Sequence, residues 1–140
     1  MRKLIFGRVG TGKTTLIVNK IIPTIENYLV FDFCNEYYQW IKDESKIKKF
    51  GSFTIGKELR ELVIDAIRKE EKDTTLIIDN TNLLRFQSKD DVSGYSWLEK
   101  ELLDRSYVLV FQSVLVDAFA DVNDNYYLSG RYISYGNGKR

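Results

Sequence analysis

The sequence predicts an α/β fold in three layers, with a mainly parallel sheet between helices, built as one domain over residues 1–140. Three observations lead there. Short apolar runs of strand type alternate with segments of helical periodicity, the order expected of crossover units. A glycine-rich octet, G-R-V-G-T-G-K-T from Gly7 to Thr14, separates the first apolar run from the first helical segment. Four runs close on polar residues: Gly7 with its loop, Asp32, Asp79–Asn80, and Gln112. In a parallel sheet such ends gather along one rim.

The elements follow in order. Lys3–Phe6 reads as a buried strand, and Leu16, Ile17, Val18 and Ile21 place a helix from about Lys13 to Ile22, stopped by Pro23. Tyr28–Phe31 is a second strand, ending at Asp32. From Phe33 to Phe53 the pattern weakens; Tyr37, Trp40 and Ile41 fit one amphipathic helix, and the charged stretch Lys42–Lys49 reads as a loop. Leu59, Leu62, Val63, Ala66 and Ile67 have the spacing of a surface helix. Leu76–Ile78 is a third strand, and polar Arg85–Tyr95, containing Gly94, an exposed loop. Ser96 with Glu99 has the form of a capping box, opening a helix with Leu98, Leu102 and Leu103 inward. Val108–Phe111 is a fourth strand, followed by a short helix near Val116–Ala120 and a last strand around Tyr132–Ser134.

Composition narrows the function. Lysines and arginines number 21 and acids 20, so bulk charge announces no polyanion partner, and a basic surface has to be local. No histidine is present, which excludes histidine acid–base chemistry and the usual zinc sites. A single cysteine, Cys34, read as buried or half-buried, fits a reducing cytoplasm. No run of about 18 apolar residues exists, and Met1-Arg2-Lys3 leads into a strand rather than a signal peptide.

The octet matches the phosphate-binding P-loop, G-x-x-x-x-G-K-[ST], in its strand-then-helix context. Gly7, Gly10 and Gly12 let the chain wrap tightly, so that backbone N–H groups of Gly7, Arg8, Val9, Gly10, Thr11, Gly12, Lys13, Thr14 and Thr15 face anionic oxygens at a helix N-terminus. Lys13 reaches the β- and γ-phosphates, and the Thr14 hydroxyl ligates Mg²⁺. A nucleoside triphosphate, ATP with Mg²⁺, is therefore the expected ligand. Asp79, after three aliphatic residues, has the Walker B pattern of a carboxylate held at a strand end for Mg²⁺. Many motor ATPases follow that Asp with a Glu that polarises the attacking water. Here Asn80 follows, and an amide orients water without taking its proton. Either hydrolysis is slow, or another carboxylate serves, Asp32 and Glu36 being the nearest by strand logic. Gln112, ending the fourth strand as a buried amide, is either a sensor of the γ-phosphate and lytic water or a tie between loops.

The order of these motifs resembles the FtsK–HerA superfamily of P-loop ATPases. It is carried by the P-loop, L-V-F-D-F-C-N-E-Y (Leu29–Tyr37), I-I-D (Ile77–Asp79) and V-F-Q-S (Val110–Ser113), and spans Lys3 to about Ser113. The resemblance implies Lys13 and Thr14 for nucleotide and Mg²⁺, Asp79 for Mg²⁺, Gln112 as sensor and Asp32 as a site carboxylate. It also implies a ring oligomer, often a hexamer, that pumps double-stranded DNA, as in chromosome translocases and viral genome packaging. Such rings place an arginine of one subunit in the neighbour's site; Arg105, Arg85 and Arg131 are the candidates, while Arg8 touches phosphate in cis or points outward. Lys42, Lys46, Lys48 and Lys49, and the stretch Arg85–Lys89, are local basic runs, and Tyr37, Tyr38 and Trp40 stack on bases or pack in the core. Two other classes share the P-loop. One is a nucleotide-gated assembly module that holds ATP without turning it over, which Asn80 favours. The other is a small nucleotide kinase, which usually carries an arginine-rich lid of a kind not found in this sequence.

Overall fold

The structure, a computed structural model, describes residues 1–51, 54–114, 117–130 and 133–137. Its centre is a seven-stranded sheet: β1 (Arg2–Gly7), β2 (Tyr28–Asp32), β3 (Ile47–Lys49), β4 (Thr75–Ile78), β5 (Tyr107–Phe111), β6 (Asp124–Leu128) and β7 (Ile133–Asn137), in the order β3-β2-β4-β5-β1-β6-β7. All neighbours run parallel except β6 and β7, which form an antiparallel hairpin at one edge. The helices are α1 (Lys13–Leu16), α2 (Gly56–Lys69) and α3 (Ser96–Glu101).

Central strands are apolar without alternation because both faces of the sheet are covered. Leu4, Phe6, Phe31, Leu76, Ile78, Leu109 and Phe111 pack with Leu59, Val63 and Ile67 of α2 and Leu98 of α3. Ile5, Val30, Ile77, Val108 and Val110 face the other way and pack with Leu16, Ile17 and Ile21. The three layers expected from the sequence are those two cores and the sheet between them. Among the described residues no helix is long and apolar enough to cross a membrane.

Several elements differ from expectation. The first helix does not stop at Pro23. It is α-wound to Leu16, π-wound over Ile17–Ile21, and ends in a 3₁₀ turn, Ile22–Thr24, with Pro23 at its start, where a missing N–H leaves no bond unmade. The Thr24 hydroxyl donates to the Ile21 carbonyl at 2.7 Å and closes the end. Tyr37–Gln39 is one 3₁₀ turn rather than a longer amphipathic helix; Tyr37 and Ile41 are buried while Trp40 is exposed. The Lys42–Lys49 stretch is not all loop, since Glu44–Lys46 forms a 3₁₀ turn and Ile47–Lys49 pairs with β2 as an edge strand. Lys48 and Lys49 hide that strand from pattern reading, and lysines are a common guard for an edge.

Ser96 and Glu99 do not form a capping box. The Asp91 carboxylate accepts the N–H groups of Gly94 (3.0 Å) and Ser96 (3.1 Å), and Glu99 accepts the N–H of Phe119 (3.2 Å). Leu98 and Leu102 point inward as expected, but Leu103 is exposed. The expected helix near Val116–Ala120 falls partly outside the described residues; Asp117–Asp121 is a bend with Phe119 at φ 52°. Strand β6, D-N-Y-Y-L, was not expected at all, because polar and aromatic residues replace the apolar run. The last strand runs Ile133–Asn137, so it extends further than expected, and Tyr132 and Arg131 lie outside the described residues.

Candidate nucleotide site

The loop between β1 and α1 is shaped by close approach and by handedness. A Cβ on Gly7 would stand 2.5 Å from Thr11 Oγ1 and 3.2 Å from the Leu128 carbonyl oxygen, so no larger residue fits beside β6. Gly12 has φ 87°, in the left-handed region open to glycine, and its carbonyl accepts the Leu16 N–H at 3.0 Å to start the helix. Thr11 closes the loop by donating its hydroxyl to the Arg8 carbonyl at 2.7 Å. Lys13 Nζ folds over the same loop, donating to the carbonyls of Gly7 and Arg8.

Val9, Gly10, Gly12, Lys13, Thr14 and Thr15 line a cavity of about 280 Å³, and Glu36, Asp79, Asn80 and Gln112 complete it. The ends of β1, β2, β4 and β5 therefore do meet at one rim. Asp79 is buried; its Oδ2 accepts from the Tyr37 hydroxyl (2.7 Å) and from Thr14 Oγ1 (3.4 Å), and its Oδ1 from the Asn80 N–H (2.8 Å). Thr14 and Asp79 offer hard oxygen donors to one point, which fits Mg²⁺, a cation that keeps several waters and takes its remaining ligands from phosphates. Among the described residues no cluster of three or more acids, cysteines or histidines would compete as an all-protein metal cage.

Electrostatics couple these groups. Burial pushes the Lys13 amine below its ordinary value, against the pull of the Asp79 and Glu36 charges. The Glu36 carboxyl is pushed up by burial and by Asp79 and Asp32, with Lys13 opposing. Burial and the Asp79 charge hold the Tyr37 hydroxyl well above its usual range, so it remains a donor. Cys34 is exposed rather than buried, beside this group; partial desolvation and the Glu36, Asp79 and Asp32 charges push its thiol above the ordinary value.

The candidate residues separate by place. Gln112 faces the cavity and is exposed, not the buried amide expected. Asp32 is buried just beneath, and its two oxygens accept the N–H groups of Glu36 (3.1 and 3.0 Å) and Tyr37 (3.0 Å), so it shapes the loop rather than facing the cavity. Arg105 is not at the site. It is buried at the opposite end of the sheet, before β5, and donates to the carbonyls of Ile67 (2.6 Å), Glu70 (2.8 Å) and Glu71 (2.7 Å) at the end of α2. A guanidinium so enclosed cannot extend into a neighbouring subunit. Arg85 is exposed and does not line this cavity; it borders a separate one with Ser113, holding the Ser93 carbonyl by Nε at 3.1 Å. Arg8 is exposed and contributes its carbonyl to the loop.

Sequence reasoning missed a second cavity that continues from the P-loop. It is about 320 Å³ and mainly apolar, lined by Gly12 and Thr15 with Leu16, Asn19, Leu128 and Ile133. Its far wall is the β6–β7 hairpin, which the residue pattern does not reveal.

No protein-family model matches the sequence, and no curated protein matches it. Solved structures do. The chain is similar to the genome-packaging NTPase B204 of Sulfolobus turreted icosahedral virus 2 in complex with AMP, at 18% identity and TM-score 0.62, over 89% of this chain and 73% of that one. It is similar to B204, the DNA-packaging ATPase of Sulfolobus turreted icosahedral virus, at 14% identity and TM-score 0.58, over 90% and 74%. The cytoplasmic domain of the Thermomonospora curvata Type VII secretion ATPase EccC matches 99% of this chain at 14% identity and TM-score 0.55, but over only 24% of its own length. At such identities the likeness is one of fold: a mainly parallel α/β sheet of the kind these ATPases have.

Proposed function

We propose that this chain is an Mg²⁺-dependent ATPase that works as an oligomeric, double-stranded-DNA-translocating motor of the genome-packaging kind. One observation carries the catalytic part: the Lys13–Thr14 pair, Asp79 and Gln112, from three distant stretches of sequence, line a single cavity at the P-loop. The likeness to two viral packaging NTPases, one of them in complex with AMP, supports the biological part. The nucleoside lies in the apolar cavity against Leu16, Leu128 and Ile133, and the phosphates run over the Gly10–Thr15 amides. Lys13 leaves the Gly7 and Arg8 carbonyls for the β- and γ-phosphates. Thr14 and Asp79 would hold Mg²⁺, which would supply positive charge against the phosphates. Tyr37 keeps the Asp79 carboxylate turned to the cavity. Gln112 and Asn80 orient the water for in-line attack.

The test is steady-state phosphate release with and without double-stranded DNA over a protein concentration series. Turnover should climb with both, and Lys13→Ala should lower it about 100-fold or more. A Lys13→Ala protein as fast as wild type would sink the mechanism. A second reading, a nucleotide-gated module that binds ATP without turnover, is favoured by Asn80 at the position of a Walker B glutamate. Asn80→Asp separates the two: a large gain in rate would mark the wild type as a holder of ATP.

A further inference from the structure

The general base that Asn80 does not supply is, we propose, Glu36. This inference rests on the ATPase reading and names the group that takes the proton of the lytic water. Three acids surround the site, and two are already engaged. Asp32 accepts backbone N–H groups of Glu36 and Tyr37 through both oxygens. Asp79 accepts from Tyr37, Thr14 and Asn80. The Glu36 carboxylate lines the same cavity as Lys13 and Gln112 yet takes part in no hydrogen bond or ion pair among the described residues. It is half-buried, so it faces cavity water without being dispersed in bulk solvent.

Its position is fixed from behind. Asn35 turns the chain with φ 53°, Asp32 clamps the Glu36 and Tyr37 amides, and the buried Tyr37 side chain ties the segment to Asp79 at 2.7 Å. The loop after β2 therefore holds a carboxylate against the cavity from the strand next to β4. In the step assigned to it, the water oxygen forms a bond to the γ-phosphorus as a water proton passes to the Glu36 carboxylate. The bond from the γ-phosphorus to the β–γ bridging oxygen breaks, and its electron pair stays on ADP. Inorganic phosphate leaves, and the proton returns from Glu36 to solvent.

The experiment compares the full-length wild type, Glu36→Gln and Lys13→Ala. Each is measured for phosphate release, for affinity toward a fluorescent ATP analogue, and for the nucleotide recovered from protein incubated with ATP and Mg²⁺. Glu36→Gln is expected to bind the analogue within about threefold of wild type, to lose about 100-fold or more in turnover, and to yield ATP where wild type yields ADP. Glu36→Asp, with the carboxylate kept but its reach shortened, is expected between the two. Near-normal turnover in Glu36→Gln beside an inactive Lys13→Ala would overturn the assignment and leave the ATPase reading standing. Analogue binding lost in step with turnover would also overturn it, since Glu36 would then be a structural part of the loop. A wild type without turnover, or one matched by Lys13→Ala, would remove the ATPase reading and Glu36 with it.

Discussion

Asn80 follows Asp79 in a backbone conformation that suits asparagine. It sits at φ 53° and ψ 42°, the left-handed conformation that asparagine and glycine tolerate and longer side chains resist. That turn lets its own N–H fold back onto Asp79 Oδ1 at 2.8 Å and starts the 3₁₀ turn Thr81–Leu84 beneath the cavity. A glutamate here would gain a carboxylate and lose the turn. Asn80→Glu is accordingly expected to cost about 1–2 kcal/mol, seen as a lowered thermal midpoint, while Asn80→Gly stays close to wild type in the same melt. Equal midpoints for Glu and Asn would mean the left-handed turn does not discriminate. The sequence showed the missing glutamate and pointed to Asp32 and Glu36 as the nearest carboxylates; it could not show that Glu36 lines the cavity while Asp32 is spent on backbone N–H groups. That placement depends on Asp32 and Tyr37, whose hydrogen bonds have no signature in spacing.

At the scale of elements, legibility followed burial. Strands β1, β2, β4 and β5, covered on both faces, are uninterrupted apolar runs and were readable to within a residue or two. Two others were not: β3, at one edge, carries lysines, and β6, paired on both sides but only partly buried, carries Asp124, Asn125 and tyrosines. Helix ends were misread for a related reason, since their caps come from afar. Asp91 rather than Ser96 caps α3, and Arg105 caps α2 from 34 to 38 residues away in sequence. The buried guanidinium adds donors to carbonyls at and just past the end of α2, where the dipole favours a cation. Arg105→Met is expected to cost about 2–4 kcal/mol, since charged hydrogen bonds are lost and carbonyls are left buried. Chemical denaturation should show that loss, with ATP turnover per folded molecule little changed. A normal denaturation midpoint with turnover abolished would return Arg105 to the site.

On the whole molecule, the carboxyl ends of the strands put the P-loop, Asp79 and Gln112 on one rim, and the loop after β4 carries Arg85 to a separate cavity beside Ser113, the residue after Gln112. Arg85 is exposed and donates to the Ser93 carbonyl, beside a cavity of about 430 Å³ bounded by Ser113 and Asp117. With Arg105 enclosed at the far end, Arg85 is the described candidate for the arginine that a ring subunit would lend its neighbour. That role makes an expectation no single-subunit enzyme meets. Arg85→Ala leaves the P-loop intact but has no finger to lend; Lys13→Ala has a finger but a disabled P-loop. Each alone should be slower than wild type by about 100-fold or more, arginine fingers contributing about 10³–10⁵ in turnover. Mixed in equal amounts above the assembly concentration, they should recover a clear fraction of the wild-type rate. The recovery comes from interfaces where an Arg85 of the second variant faces a P-loop of the first. The measurement is phosphate release across mixing ratios, with DNA present. Rates that stay at the sum of the two inactive proteins at every ratio, in a mixture shown by light scattering to co-assemble, would place Arg85 outside the neighbour's site.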